Sequence, residues 1–245
     1  MKQGIFTVSE NVQLTKDVFK MVLQGDTSDI TRPGQFINIQ IDGLFLRRPI
    51  SVFDCDDMEV TNIYKVVGKG TAKMSEMQPG EKLDILTGLG NGFDINEAGD
   101  KPVLIGGGVG VPPMYLLAKK LIEAGKPVSV IMGFNTEDEI FAKEDFEELG
   151  AKVYVSTVDG SVGVKGFVTD VLKDIDYSFY YTCGPEPMLK AIHSSTKTSG
   201  ELSFEERMGC GFGACMGCSC KTIAGYKRIC KDGPVMQKEE ILWED

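Results

Sequence analysis

At 245 residues and 42% apolar content, the chain exceeds the usual single-domain size and holds enough apolar mass for two compact cores and a small appendage. Its 36 acidic against 26 basic residues leave a formal charge of −10. No basic stripe offsets that charge, which excludes a surface built for nucleic-acid phosphates or anionic membranes. The opening MKQGIFTVSENVQL lacks a basic segment followed by an apolar run, and the longest uncharged stretch, Pro102 to Ala118, is broken by glycines and prolines. The expectation is a cytoplasmic chain with no secretory leader and no membrane span.

From Ile5 to about Leu86 the apolar residues fall in short β-rich runs, Val18 to Leu23, Phe36 to Ile41, Pro49 to Phe53 and Thr61 to Val67, punctuated by Gly and Asp/Asn. This pattern predicts an antiparallel Greek-key β-barrel with one short helix at Lys73 to Met77. Past the loop Asn91 to Gly99 the rhythm becomes strand then helix: Val103 to Ile105, Pro113 to Glu123, Val128 to Met132, Asp138 to Leu149 and Val153 to Thr157. It continues through Gly166 to Leu172, Phe179 to Thr182, Pro187 to Ser194 and Leu202 to Phe204, predicting about five parallel strands in a doubly wound nucleotide domain. From Glu205 onward the chain is rich in Gly and Cys and shows no periodicity. The expected division is a barrel over 1–98, an α/β domain over 99–204 and a small cluster-binding domain over 205–245.

Seven cysteines in a reducing compartment are poor candidates for disulfides, and their crowding late in the chain points to a metal. Cys210, Cys215 and Cys218 are separated by four and then two residues, with Cys230 following, which is the plant-type [2Fe-2S] ligand spacing. Gly211, Gly213 and Gly217 let the loop wrap closely and aim N–H groups at the sulfurs. A structural zinc site prefers paired two-residue spacings and fits the four-residue gap poorly. Cys220 could replace Cys218 or Cys230, but in a strand leaving the cluster it would pack inside, and it is read as a non-ligand.

Arg47 to Ser51 reads RRPIS, Gly68 to Thr71 reads GKGT, and Thr87 to Phe93 reads TGLGNGF. In this order, on a barrel, they resemble the flavin domain of ferredoxin–NADP reductases. The resemblance implies FAD held by Arg48, Pro49, Ile50 and Ser51, with Arg48 on the pyrophosphate and Ser51 near the isoalloxazine; Ile63, Tyr64 and Lys65 would line the cofactor. A planar guanidinium suits phosphate oxygens, and Gly70 with Thr71 at a helix start offers free N–H groups to an anion. Thr87-Gly88 stands where the family has Gly-Pro.

Val103 to Pro113 reads VLIGGGVGVPP, a strand, a glycine turn and prolines suited to a first helical turn, which makes Gly107, Gly108 and Gly110 candidates for cradling a dinucleotide. Alone it is a tight strand-to-helix turn, because the third glycine of the usual fingerprint is missing. Thr182 to Met188, TCGPEPM, closes a later strand, and the pair resembles the reductase NAD(P) domain; Cys183 and Gly184 would then sit beside the nicotinamide. Gly133 to Glu139, GFNTEDE, has no cation for a 2′-phosphate, so NADH is expected over NADPH.

The tail from Phe204 to Val235 resembles the electron-transfer subunits of type B dihydroorotate dehydrogenases. That resemblance implies FAD, [2Fe-2S], NAD as substrate and a separate FMN-containing catalytic subunit, two of each chain, serving pyrimidine synthesis. No acid–base pair suits carbon-acid chemistry, and His193 reads as solvated on an exposed helix face, so no catalytic residue is assigned to this chain. Two alternatives are the small subunit of an NADH-dependent ferredoxin or sulfur reductase and a non-enzymatic redox sensor.

Overall fold

Residues alternating inward and outward build the first half of the computed structural model, which describes residues 1–243. Strands β1 (Lys2–Gln13), β2 (Val18–Gln24), β3 (Phe36–Ile39), β4 (Arg48–Ser51), β5 (Asp54–Cys55), β6 (Glu59–Lys65) and β7 (Lys82–Leu89) form one antiparallel sheet in the order β4-β3-β7-β1-β2-β6-β5. Because β4 runs directly into β5, one stretch of chain joins the two edges. Asn62 Nδ2 on β6 donates to the Ser51 carbonyl at 2.8 Å, and the Phe53 N–H donates to the Thr61 carbonyl at 2.8 Å. The sheet therefore curls into the expected barrel around Phe6, Met21, Leu23, Ile37, Ile39 and Ile85.

Helix α1 (Lys69–Ser75) starts four residues before the predicted Lys73. The Thr71 hydroxyl accepts the Val67 N–H at 2.9 Å and so satisfies a donor at the helix start. The GKGT segment thus forms the cap and first turn of the helix, with Gly70 and Thr71 at its start as expected.

The second half is parallel. Strands β8 (Pro102–Gly107), β9 (Ser129–Phe134), β10 (Lys152–Thr157), β11 (Val164–Lys165), β12 (Phe179–Cys183) and β13 (Gly200–Ser203) alternate with α2 (Pro113–Glu123), α3 (Lys143–Glu148), α4 (Val168–Leu172) and α5 (Glu186–Ser195). After them come the hairpin β14 (Ser219–Thr222) and β15 (Gly225–Arg228), and finally β16 (Val235–Gln237). The sheet order is β11-β10-β9-β8-β12-β13-β16, with only β16 antiparallel to its neighbour. The winding direction reverses between β8 and β12, where open α/β sheets place their ligands. The predicted helix Asp138 to Leu149 is split: Ala142 sits at φ 59°, so a short 3-10 turn, Glu137–Glu139, precedes α3.

Barrel and α/β sheet share a seam. Phe53 stacks on Tyr115 with centroids 4.1 Å apart, an arrangement that adds about 1 kcal/mol beyond area burial. The Leu116 N–H on α2 donates to the Phe53 carbonyl at 3.0 Å, and Lys119 pairs with Asp54 at 2.9 Å. The C-terminal segment, whose sequence shows no periodicity, has the strand expected at Cys220 as one arm of a hairpin and then returns along β13. Asn91 holds it, donating to the Val235 carbonyl at 2.8 Å and accepting its N–H at 3.1 Å. His193 is half-buried, not solvated: its ring packs edge-on against Trp243 at 5.5 Å, because the C-terminal segment covers that face of α5. Among the described residues no helix is long and apolar enough to cross a membrane.

Candidate functional site

The RRPIS strand divides its two arginines between different tasks. Arg47 is tied to the barrel, donating to the Asp84 carbonyl and to its carboxylate, both at 2.9 Å. Arg48 donates to the Leu46 and Arg47 carbonyls, and among the described residues no carboxylate pairs with it. Its side chain lies over Gly70, where a Cβ would stand 2.0 Å from Arg48 Nε. A cation without a counter-charge therefore rests beside the first turn of α1, whose leading N–H groups have no carbonyl within the helix. This cradle fits a pyrophosphate. Ser51 is half-buried at the end of the same strand, after Pro49 and Ile50.

The three residues expected along β6 face different ways. Tyr64 is buried in the barrel core, stacked on Phe19 and donating to Asn11 Oδ1 at 3.1 Å, so toward the α/β domain it offers only its main chain. Ile63 packs into the core shared with the α/β domain, and Lys65 pairs with Asp17 at 3.1 Å. The glycines of TGLGNGF serve close packing: a Cβ on Gly90 would meet Pro234 Cδ at 2.6 Å, so this motif abuts the C-terminal segment.

The two nucleotide motifs, far apart in sequence, meet at the carboxyl ends of β8 and β12, where Cys183 is paired with Gly106. A Cβ on Gly110 would stand 2.2 Å from the Cys183 carbonyl oxygen, one on Gly107 would stand 2.5 Å from Met188 Sδ, and one on Gly184 would stand 2.4 Å from Met188 Cε. Gly108 has φ +51°, a conformation that favours glycine. With Val109 it lines a narrow cleft against Lys65 and Glu139. Burial pushes the Cys183 thiol up to about 12, so it is neutral near pH 7. The acidic turn after β9 is organised: Asn135 Nδ2 donates to Glu139 at 2.9 Å, and the Glu137 N–H donates to Ser161 Oγ at 2.9 Å. Ser161 also holds the Asp159 carboxyl below its usual range through its hydroxyl and N–H, which keeps a negative charge at the end of β10.

The cysteines come in two pairs. The Cys210 N–H donates to Cys215 Sγ at 3.5 Å, and the Cys230 N–H donates to Cys218 Sγ at 3.4 Å. Among the described residues no three Cys, His, Asp or Glu side chains gather as a single metal ion requires. A [2Fe-2S] cluster would be held by four thiolates, and the two pairs present offer that donor set. Partial burial opposes ionisation of Cys210, but backbone N–H donors from Phe212, Cys215 and Ala214 outweigh it and hold the thiol at about 6. Cys218 and Cys230 are buried against Phe36, Leu86 and Leu89 of the barrel, whereas Cys215 is exposed. Cys220 Sγ lies 3.8 Å from Met236 Sδ and is in neither N–H···S pair.

Arg228 and Asp232 were not singled out in the sequence. The Arg228 guanidinium donates to Asp232 at 2.8 and 3.0 Å and to the Gly213 carbonyl at 2.8 Å, clamping the loop to the turn that follows Cys230. Nothing but the fold brings residue 213 to residue 228. A cavity of about 430 Å³, lined by Thr27, Arg32, Asp94 and Lys120 among others, lies on another part of the barrel–α/β seam; of the motif residues only Phe93, at the end of TGLGNGF, reaches it.

Glu201 was also missed. It is 4% exposed on β13 and accepts the Asp94 N–H and Gln237 Nε2, both at 2.9 Å, joining linker, sheet and C-terminal strand. Burial raises its carboxyl to about 7; the Asp94 N–H opposes this, and the charges of Asp94 and Glu97 add to it. In the unfolded chain it titrates near about 4.3, so its contribution to stability is fully present below that pH and is lost as pH rises through about 7. The loss is on the order of 3 kcal/mol. Glu201→Gln is therefore expected to melt several degrees higher than the parent at pH 8 and to flatten the decline between pH 5 and 8. Circular dichroism melts across that range check it; equal declines in both proteins would contradict it.

Comparison with known proteins agrees with this geometry. Residues 205–242 match the family model described as the iron-sulfur cluster binding domain of dihydroorotate dehydrogenase B, and residues 104–194 match the oxidoreductase NAD-binding domain. The electron transfer subunit of dihydroorotate dehydrogenase B (NAD(+)) from Fusobacterium nucleatum subsp. nucleatum is 45% identical, over 98% of this chain and 99% of that protein. A solved chain of the NADH-dependent reduced ferredoxin-NADP oxidoreductase, described for flavin-based electron bifurcation, is 30% identical with a TM-score of 0.89, covering 98% of this chain and 90% of that one. The flavohemoglobin of Malassezia yamatoensis, solved with bound FAD and heme, shares the fold at 23% identity and a TM-score of 0.71, over 80% of this chain and 56% of its own. With its cysteine pairs, its glycine-lined crevice and relatives matched from end to end, the chain belongs to the family of electron transfer subunits of NAD(+)-dependent dihydroorotate dehydrogenase B.

Proposed function

We propose that this chain binds FAD on the barrel at Arg48, Ser51 and the start of α1, carries a [2Fe-2S] cluster on Cys210, Cys215, Cys218 and Cys230, and takes NAD at the ends of β8 and β12. Its partner is an FMN-containing catalytic subunit that oxidises dihydroorotate to orotate, with two copies of each chain, in cytoplasmic pyrimidine synthesis. The barrel over 1–98, the α/β domain over 99–204 and the cluster domain over 205–245 are the working units. The observation that carries this reading is adjacency. Strand β4 is hydrogen-bonded to β3, Phe36 of β3 underlies Cys218 and Cys230, and the Gly108–Val109 turn shares a cleft with Lys65 of β6.

When bound, FAD exchanges two electrons with a nicotinamide and one at a time with an iron–sulfur cluster. The residues of this chain bind, orient and insulate. Arg48 supplies a fixed cation to the pyrophosphate, and Gly70 keeps the α1 backbone open to it. Gly107, Gly108 and Gly110 let the dinucleotide approach the main chain, and the neutral Cys183 with Gly184 places no charge beside the nicotinamide. His193 is engaged with Trp243 and the Lys238 carbonyl, so proton abstraction from carbon is left to the partner.

NADH is expected to reduce the flavin of the purified holoprotein at least about tenfold faster than NADPH at equal low concentration, because a 2′-phosphate would meet the acidic turn after β9 and Asp159. Rapid mixing followed at the flavin absorbance band measures both rates. Equal rates would remove the specificity reading, and a protein without flavin would overturn the proposal. A ferredoxin-linked reductase subunit is the second reading, supported by the end-to-end likeness at 30% identity; the identity of the co-purifying partner separates the two.

A further inference from the structure

We infer that Asn38 is a positioning residue for the cluster, setting the Cys210–Gly211 peptide from the barrel strand adjacent to the Arg48–Ser51 segment. Along β3, Ile37 and Ile39 point into the barrel core, so Phe36 and Asn38 project from the outer face. An asparagine there would ordinarily be solvated, yet Asn38 is 1% exposed, because the cysteine loop lies over it. Its Nδ2 donates to the Cys210 carbonyl at 3.3 Å, while its Oδ1 is buried without a partner. Gly211 sits directly above at φ +77°, and a Cβ there would stand 2.2 Å from Asn38 Nδ2.

This contact has an electrostatic consequence. In a trans peptide the C=O and N–H point in opposite directions. Holding the Cys210 carbonyl down on the barrel therefore turns the Gly211 N–H away from it, into the loop where the Ala214 N–H already meets Cys210 Sγ at 3.2 Å. N–H groups aimed at cluster sulfurs stabilise the reduced, more negative state and raise its potential. Asn38 also faces Pro49 across the β3–β4 ladder, so one side chain ties the cluster loop to the strand assigned to FAD. Mere packing would be served better by an apolar side chain, which would leave no orphaned acceptor.

The inference rests on the cluster assignment, and iron and sulfide analysis of the unmutated holoprotein tests that assignment separately. The variants are Asn38→Leu, which removes the donor at similar volume, and Asn38→Asp, which keeps the shape but offers only acceptors. Phe36→Leu is the packing control beneath the same loop. In cluster-loaded holoprotein, both Asn38 variants are expected to show a more negative cluster midpoint potential and an altered electron paramagnetic resonance spectrum of the reduced cluster. Flavin-to-cluster transfer should slow about tenfold, with flavin reduction by NADH unchanged. Phe36→Leu, which trims apolar contact with Cys218 and Cys230 but leaves every N–H donor in place, should shift the potential less than either Asn38 variant. If Asn38→Leu fails to retain the cluster, Asn38→Asp decides. A loaded Asn38 variant with unchanged potential and spectrum, or an equal shift in Phe36→Leu, would overturn the inference.

Discussion

Serine at Cys218 or Cys230 is expected to abolish the [2Fe-2S] cluster, and serine at Cys210 or Cys215 to remove or weaken it, from about two iron and two sulfide per chain in the parent. The grading follows from burial. Cys218 and Cys230 are each 2% exposed against barrel residues, so no solvent can take the place of a lost thiolate. Cys215 is exposed, and a substitute oxygen ligand has access there. Cys220→Ser is expected to keep the cluster, because its sulfur packs on Met236 and belongs to neither pair. Flavin content and the NADH-to-dye reaction should survive in every variant, since no cysteine of the cluster lies in the Arg48 cradle or in the glycine crevice. Iron and sulfide analysis with the visible spectrum reads the outcome. Cluster loss in Cys220→Ser, or a full cluster in Cys218→Ser, would show that the thiolate set is wrong.

What the sequence made legible follows from how local each signal is. Five of the six parallel strands could be read because β8, β9, β10, β12 and β13 alternate with helices, a pattern that needs no tertiary knowledge; the two-residue β11 follows β10 without a helix and carries no such signal. The cysteine spacing and the RRPIS, GKGT and glycine-turn motifs are equally local. The structure brings Gly110 against Cys183 as the pairing of two distant motifs required. Beyond the strand read at Cys220, the hairpin partner β15 and the returning β16 were not legible: strands of three or four residues with mixed burial carry too few alternations to register. Local pattern also fails where polar residues become buried only when the C-terminal segment folds back. Asn38, Glu201 and Asn91 sit in stretches that read as ordinary strand or turn, and each acquires its role from a partner more than 30 residues away. Tyr64 shows the converse, since the resemblance that singles it out does not reveal which face of β6 its ring occupies.

The second large effect concerns the partner. Around Cys215 the surface is open and partly apolar: Phe212 is 42% exposed and Met216 53% exposed, and Met216 is held at φ +60° with its side chain outward. Aromatic residues and methionine are what the cores of docking surfaces favour, and they lie over the thiolate pair nearest to solvent. Met216→Glu is expected to lower coupled activity at least about tenfold by placing a charge in that surface. It should spare the NADH-to-dye reaction, whose proposed residues lie on the barrel and at the ends of β8 and β12. The most direct measurement is dihydroorotate oxidation coupled to NAD⁺ reduction, assayed with the isolated holoprotein and again after adding the catalytic partner subunit. The isolated chain is expected to reduce dyes with NADH and leave dihydroorotate untouched, gaining NAD⁺-linked turnover only with the partner. Dihydroorotate turnover by the chain alone, or no gain when the partner is added, would contradict it.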